Sequence, residues 1–526
     1  MKREDKRLTS FEEDFPTSYW RDSVDLRTYP ALHEDLHVDV AVVGAGITGI
    51  TAAYLLQKAG KSVALLEADW VLNGTTGHTT AKITAQHGLI YDELLSTVGK
   101  KQARLYFEAN RDALTFIEDL VSEHEMQCDF SKQDSYVYAT TATSEENINK
   151  EAKAYETLGI DGELLYSLPI DIDVRNALVM PNQAQFHPVA YLRAVLDAFT
   201  RAGGQVFEQT VAVNVETGEQ PTVLTKDNQR VSCQQVLICT HFPFYEGRGL
   251  YSTRMYADRS YVVAARTKEP YPGGMYLSAD SPTRSLRSVS VDGEDLVLLI
   301  GEGHKTGQAE DVAKRYETLK QFGDDVFGVT SVPYHWSAQD LTTLDQIPYV
   351  GELTKGESDV LVATGFRKWG MTNGTAAALL LHDLVLDKEN RYQALYKPTR
   401  FSPRPSIQNF LKENINVGAQ LLKGKLSQQK TDVDQLKKDE GAVVNIKGER
   451  KGAYRDKEGK LHIVDTTCTH IGCEVGWNNA ERSWDCPCHG SRFTYTGEVI
   501  EGPAEKPLQT YDYKMLDNLT SDDSGY

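Results

Sequence analysis

The sequence predicts an α/β protein in two parts: a βαβ unit joined to an antiparallel sheet, then a small all-β domain. Three observations predict it. From Asp39 a β-branched run, a glycine turn and an amphipathic segment follow one another. The segment from Tyr251 to Leu299 is rich in Val, Tyr, Ser and Thr between turn clusters. Four of the seven cysteines fall within 21 residues near the C-terminus. At 526 residues the chain has room for two to four folding units.

Composition narrows the classes. Hydrophobic residues make up 40% and charged residues 25%, which is ordinary globular usage. The formal net charge of -19 disfavours nucleic acid and anionic lipid as partners. The N-terminal MKREDKR is dense in both charge signs and no apolar run follows it, so a secretory signal is not expected and the cytoplasm is the expected location. The uncharged stretch from Val40 to Leu56 contains Gly44, Gly46 and Gly49 and falls short of the roughly 20 apolar residues that span a bilayer. It reads as a buried strand running into a helix, and no transmembrane segment is expected.

In chain order, the run from Asp39 to Glu67 is a βαβ unit. A helix is expected from Lys101 to His124. Pro188 suits the first turn of a helix that Gly203 and Gly204 close, with a strand from Gln205 to Val215 after it. VLVAT from Val360, the turn GFRKWGMTNG and the helix AAALLLHDLVL close this part near Lys388, and residues 1–400 are taken as the first domain. Residues 401–438 turn Pro-rich and then polar, as a linker does. Residues 439–526 hold short strands, glycine turns and two cysteine-histidine boxes, a domain small enough to need a metal for stability.

Gly44-Ala45-Gly46-Ile47-Thr48-Gly49 fits GxGxxG between a strand and a helix. Gly44 permits the tight turn, Gly46 the approach of backbone to a pyrophosphate, and Gly49 close helix-strand packing; Glu67, ending the second strand, can accept from ribose hydroxyls. NAD and FAD share this fingerprint. The second loop, Gly74-Thr75-Thr76-Gly77-His78-Thr79-Thr80, decides for FAD, because a nicotinamide enzyme has no need of a further hydroxyl-rich loop at the phosphates and the flavin.

With SAQDLTTLDQIPYVGEL and DVLVATGFRKWGMTNGTAAALLL, residues from about Ser18 to Leu386 resemble the D-amino acid oxidase superfamily. The resemblance implies a Rossmann-like FAD-binding domain interleaved with an antiparallel-sheet substrate domain, and oxidation of a C-N bond by hydride transfer to the flavin. It assigns Gly44, Gly46, Thr48 and Gly49 to the pyrophosphate turn and Glu67 to the ribose. Thr75, Thr76 and Thr80 fall to the second loop, Ala212 to the adenine, and Gly365, Gly370, Met371 and Thr372 to the pyrimidine end of the flavin. His78 stands where some members carry a histidine bonded covalently to flavin; it either forms that bond or lines the site. Arg367 and Lys368, in the turn facing the flavin, either hold a substrate carboxylate, steady the reduced flavin, or point to solvent. His187 reads as a residue at the start of a helix, and His304 and His335 as lining or structural residues.

Cys468-Thr469-His470-Ile471-Gly472-Cys473 and Cys486-Pro487-Cys488-His489-Gly490-Ser491 supply two thiolates and two imidazoles from neighbouring loops, the set that a Rieske [2Fe-2S] cluster needs. Cys and His also bind structural zinc, but zinc boxes rarely follow these spacings. Residues Gly441 to Leu508 resemble a Rieske domain, and Gly502 to Ala504 its proline loop. That resemblance implies Cys468, Cys486, His470 and His489 as ligands, and a disulfide between Cys473 and Cys488. Ser491 keeps one hydroxyl donor of the high-potential pattern, whereas Phe493 replaces its tyrosine; Tyr495 compensates only if the loop bends back.

Together these readings imply a dehydrogenase acting on a small amine or amino acid. Because the cluster carries one electron, the expected acceptor is a protein or a quinone. The alternative is a flavin/iron-sulfur redox sensor or electron-transfer adaptor that turns over no metabolite.

Overall fold

The computed structural model describes residues 11, 15–291, 293–309, 311–400, 413–421 and 431–513. Most of the expected linker and the end of the small domain therefore lie outside the described residues.

The first sheet has six strands in the order Tyr349–Glu352, Val360–Thr364, Gln235–Ile238, Val40–Val43, Val63–Leu66 and Gln205–Phe207. All pair in parallel except Tyr349–Glu352. The central strands are buried throughout, as parallel strands covered on both faces must be. Helices Ile47–Lys58 and Gly370–Val385 pack against each other on one face, and both are apolar nearly all round because they are buried. Helix Gly99–Glu123 buries Ala103, Tyr106, Phe107, Asn110, Ala113, Leu114, Ile117 and Leu120, the 3–4 spacing of one helical face.

The second sheet has nine strands, and the chain reaches it in two passes, through 82–185 and 255–343, returning each time to the first sheet. The two domains are thus interleaved. This sheet is not wholly antiparallel: Met275–Ser278 pairs in parallel with Ser131–Ala139. The expected strand from Gln205 to Val215 is two strands, Gln205–Phe207 in the six-stranded sheet and Ala212–Glu216 in a separate four-stranded sheet. Gln209 between them has φ 49°, a left-handed backbone that no strand accommodates, and Glu208 is buried to cap the amides of Tyr29 and Val71. Apolar alternation could not show that break. Helix Pro188–Arg201 begins with Pro in its first turn, and the His187 ring accepts from the Ala190 amide as N-cap.

The small domain consists of two four-stranded antiparallel sheets. Glu440–Ile446, Glu449–Arg455, Leu461–Asp465 and Thr510–Tyr511 form one; Gly476–Asn478, Ser483–Asp485, Arg492–Thr494 and Val499–Glu501 form the other. Val433 and Leu436 are buried in its core, ahead of the first strand. Within the expected linker, residues 413–421 form a helix lodged between the domains: Lys305 pairs with Glu413, Gln308 Nε2 donates to Asn416 Oδ1 at 2.9 Å, and Leu421 packs on the small domain's core.

Candidate active site and metal centre

A cavity of about 1300 Å³ runs from the first glycine turn to the face of the nine-stranded sheet. At one end Gly44, with φ 103°, turns so tightly that an added Cβ would lie 2.5 Å from the Cys239 carbonyl oxygen. Gly49 crosses the strand closely enough that its Cβ would lie 1.9 Å from the Gly44 oxygen. Glu67 accepts from the amides of Ala45 at 2.8 Å and Asp69 at 3.1 Å, and burial raises its pKa. Thr76 Oγ1 accepts from the Ile47 amide at 3.2 Å, tying the second loop to the helix N-terminus. Thr48 Oγ1 is buried beside this cradle without a hydrogen-bond partner.

Of the residues assigned to a cofactor from the sequence, Gly44, Gly46, Thr48, Glu67, Thr75, Thr76, His78, Thr80, Ala212, Gly370 and Met371 line the cavity. Gly49, Gly365 and Thr372 do not. Gly49 serves packing; Gly365, at φ 76°, lies against Thr343; the Thr372 hydroxyl donates to the Thr84 carbonyl at 3.0 Å. The His78 Nδ1 pairs with the Gly74 carbonyl at 3.0 Å, and burial lowers its pKa, so the ring is neutral. An orphaned hydroxyl, an acidic residue beyond the turn and a glycine cradle fit a dinucleotide.

The two basic residues of the 366–370 turn have separate fates. Arg367 is held by the Gln346 side chain and by the His87 carbonyl at 2.7 Å. Lys368 Nζ donates to Ser260 Oγ at 2.6 Å and faces Asp258 and Asp340, which stand opposite each other on adjacent strands. Burial, with Asp258 and Glu501 nearby, pushes Asp340 up to about 7 although Lys368 opposes the shift. His304 lines the cavity with its Nε2 2.7 Å from the Tyr261 hydroxyl; His335 is buried in an aromatic cluster away from it.

Sequence reasoning missed Lys82. It lies in the cavity wall at 7% exposure, and its Nζ donates to the Tyr276 carbonyl at 2.9 Å and Ser285 Oγ at 2.5 Å. Its signal was a lone lysine two residues beyond the threonine-rich loop, which periodicity cannot distinguish from a surface residue.

In the small domain the first box follows strand Leu461–Asp465, and the second is the hairpin loop between Ser483–Asp485 and Arg492–Thr494. Each folds back on itself: Cys468 N donates to Cys473 O at 2.7 Å, and Cys486 N to Ser491 O at 2.8 Å. Cys473 and Cys488 are joined as a disulfide. The sulfurs of Cys473, Cys486 and Cys488 lie within 4.8 Å of one another, yet two of the three are bonded together and offer no thiolate. The available donors are therefore Cys468 and Cys486, in mutual hydrogen-bonding contact, with His470 and His489, whose ring centroids are 5.0 Å apart. The Cys486 contact, with help from Ser491 and the His470 and Ile471 amides, lowers Cys468 to about 7 against the effect of burial. Burial, with His470 beside it, lowers His489 to about 4, so its ring is neutral, and its Nδ1 is buried without a partner. Two thiols in contact, two adjacent imidazoles and an orphaned imidazole nitrogen fit a [2Fe-2S] cluster.

The metal centre faces the cavity domain. Gln339 accepts at its backbone carbonyl from Thr75 Oγ1 at 3.1 Å, and its side chain donates to the Gly490 carbonyl at 3.0 Å. Gly490 lies so close that a Cβ there would be 2.4 Å from Ala257 Cβ. Glu481 of the small domain, 10% exposed, accepts from Arg259 at 3.1 Å and from the Tyr316 and Ser337 hydroxyls, each at 2.8 Å. Glu498 to Pro507 form part of the cavity wall.

Residues 39–384 match the family described as FAD dependent oxidoreductase, and residues 428–512 the Rieske [2Fe-2S] domain. A Bacillus subtilis protein described as a Rieske 2Fe-2S iron-sulfur protein, YhfW, is 50% identical over 95% of this chain and 99% of its own length. Among solved structures, glycine oxidase from Geobacillus kaustophilus has a TM-score of 0.59 at 18% identity, covering 70% of this chain and 99% of that one. L-amino acid deaminase from Proteus vulgaris has 0.57 at 17%, covering 75% and 98%. These two likenesses concern the fold. The chain thus belongs to the FAD dependent oxidoreductase family, is a flavoenzyme of that type, and carries a C-terminal Rieske domain that binds a [2Fe-2S] cluster.

Proposed function

We propose that this chain is a dehydrogenase that oxidises a C-N bond of a small amine or amino acid and passes the electrons through its own Rieske cluster to an external one-electron acceptor, a protein or a quinone. The observation that carries the reading is Gln339, which touches the second loop through Thr75 and the second cysteine-histidine box through Gly490. FAD, when bound, accepts a hydride from carbon, and a Rieske cluster moves electrons one at a time.

The residues of this chain supply the rest. Glu67, Thr48 and the glycine turn would hold the adenine-side half of the dinucleotide, and Thr75, Thr76, Gly370 and Met371 the flavin-side half. Cys468, Cys486, His470 and His489 would be the cluster ligands. Lys368 and the Asp258–Asp340 pair face the space beside the turn, where they can orient an amine and take up its proton. The small domain's segment Glu498 to Pro507 forms part of the wall of the same cavity. A sensor or adaptor would have no need of the Lys368, Asp258 and Asp340 side chains that line the cavity. Among the described residues no helix is long and apolar enough to cross a membrane, and we retain the cytoplasm as the proposed location.

Anaerobic mixing of the holoenzyme with a panel of amines and amino acids tests the reading: at least one should bleach the flavin, and bleaching by none contradicts it. Acid precipitation settles His78, since colour that stays with the protein establishes a covalent bond and colour that leaves makes His78 a lining residue.

A further inference from the structure

One short segment of the small domain, Glu498 to Pro507, stands between the metal boxes and the cavity. On one side it is bonded to both boxes. Its strand Val499–Glu501 pairs with Arg492–Thr494, the strand that leaves the second box. The Ala504 amide donates to Ser491 Oγ at 3.0 Å, and the Thr469 hydroxyl donates to the Lys506 carbonyl at 2.6 Å. On its other side the segment lines the cavity.

Which part of the cavity it lines follows from the six-stranded sheet. Strand Gln235–Ile238 lies between Val40–Val43, which runs into the glycine turn, and Val360–Thr364, which leads to Gly370 and Met371. Strand Val63–Leu66, which leads to Glu67, lies on the far side of the turn. The loop after Gln235–Ile238 is therefore on the flavin side of the turn, at the carboxyl ends of the strands where dinucleotides bind. It is pressed against the turn: a Cβ on Gly44 would lie 2.5 Å from the Cys239 oxygen and 3.1 Å from Thr240 Cα. Gly502 of the small domain rests on the same loop, and a Cβ added there would lie 3.8 Å from Phe242 Cβ. Glu501 is near enough to His241 to oppose the lowering of its pKa by burial.

The chemistry of the segment agrees with that placement. Ile500 is 44% exposed and lines the cavity with Phe242, Phe244 and Pro503, an apolar strip. Glu498, Glu501 and Glu505 line it as well, and three carboxylates would repel a pyrophosphate, whose place is the helix N-terminus beside Gly46. An uncharged ring system is what such a wall can cover.

We propose that FAD binds between the two domains. The segment Glu498 to Pro507 completes the flavin-side half of the site, with Ile500 as its apolar contact, and FAD binding and docking of the Rieske domain form one linked equilibrium. A ligand that touches both domains favours the docked state by the same factor by which docking favours the ligand. The competing reading, in which the segment walls only the space for substrate, leaves FAD retention independent of it.

The test follows FAD release from full-length holoprotein on dilution, read as free-flavin fluorescence. If acid precipitation shows a covalent bond, the same series is run in a His78→Ala background. The EPR spectrum of the reduced cluster checks that the small domain is intact in each variant. Ile500→Asp sets a charge against the ring and should quicken release about tenfold or more, whereas Ile500→Val should stay within about threefold of wild type. Glu481→Gln, whose side chain does not line the cavity, should quicken release about threefold or more through docking alone. Reciprocally, excess FAD should raise the temperature at which the visible circular dichroism of the cluster is lost, and should raise it less in Ile500→Asp. If Ile500→Asp loses its cluster, Ile500→Ala decides, with release about threefold faster or more. Release unchanged in the cluster-bearing Ile500 and Glu481 variants, or cluster melting that FAD does not move, overturns the proposal.

Discussion

Phe493 occupies a buried position on the hairpin that carries the second metal box, paired across the strand with Trp484. A phenyl ring cannot donate a hydrogen bond to a ligand sulfur, and Tyr495 does not compensate, since its ring packs against Tyr454 and His462 at 4.9 and 5.1 Å between centroids. Ser491 retains its role: its Oγ accepts from the Ala504 amide at 3.0 Å and donates toward Cys468. Hydrogen bonds to sulfur stabilise the added electron, so the account predicts a midpoint below the top of the range. Phe493→Tyr should raise it, and Ser491→Ala lower it, each by on the order of a tenth of the roughly 450 mV that Rieske centres span. Redox titration followed by EPR reads both; a wild-type midpoint near the upper limit would contradict the argument. The fingerprint glycines, the acid after the second strand and the metal boxes were legible in the sequence because each is a short-range pattern with one physical purpose. Lys82 was not, because what makes it notable is that no carboxylate among the described residues pairs with it, and an absence in space leaves no mark along the chain.

Among elements, the junction between the strand Met255–Thr267 and the small domain's hairpin depends on Glu481. Burial alone would push its carboxyl up, but Arg259 and Arg492, with Tyr316 and Ser337, outweigh that and hold it at about 2. Glu481→Ala leaves the buried Arg259 with only the longer 3.9 Å pair to Glu501, a loss of about 3 kcal/mol by analogy with broken buried pairs. Calorimetry should show the small domain melting ahead of the rest; a single unshifted transition would count against the clamp. The pH dependence follows from the direction of the shift. A carboxyl whose pKa is depressed on folding contributes stability in full above its unfolded value near 4.5, and that contribution is lost as pH falls toward 2. Docking should therefore weaken below about pH 4.5, and Glu481→Gln should flatten that dependence. The interleaving of two domains was implied by the family resemblance, not by the pattern of helical and strand-rich stretches. The clamp was hidden, because Arg259 and Glu481 are 222 residues apart and each alone reads as surface charge. The split of the expected strand at Gln209 was hidden for a related reason: apolar alternation runs through a left-handed turn without interruption.

For the whole molecule, the central claim is that one chain holds both halves of an electron-transfer reaction, in domains fastened together by Glu481, Gln339 and the helix at 413–421. Cys486→Ser should abolish reduction of an artificial one-electron acceptor such as ferricyanide by more than tenfold while leaving anaerobic bleaching of the flavin nearly intact, because Cys486 does not line the cavity. Loss of both at equal thermal stability would contradict the division of labour. The most direct measurement is freeze-quench EPR of the wild-type holoenzyme mixed anaerobically with an amine or amino acid that bleaches its flavin. The account predicts that the signal of the reduced Rieske cluster rises with the loss of flavin absorbance, at a rate independent of protein concentration. Flavin that bleaches while the cluster stays oxidised, or a cluster signal whose rate scales with protein concentration, would contradict transfer within the chain.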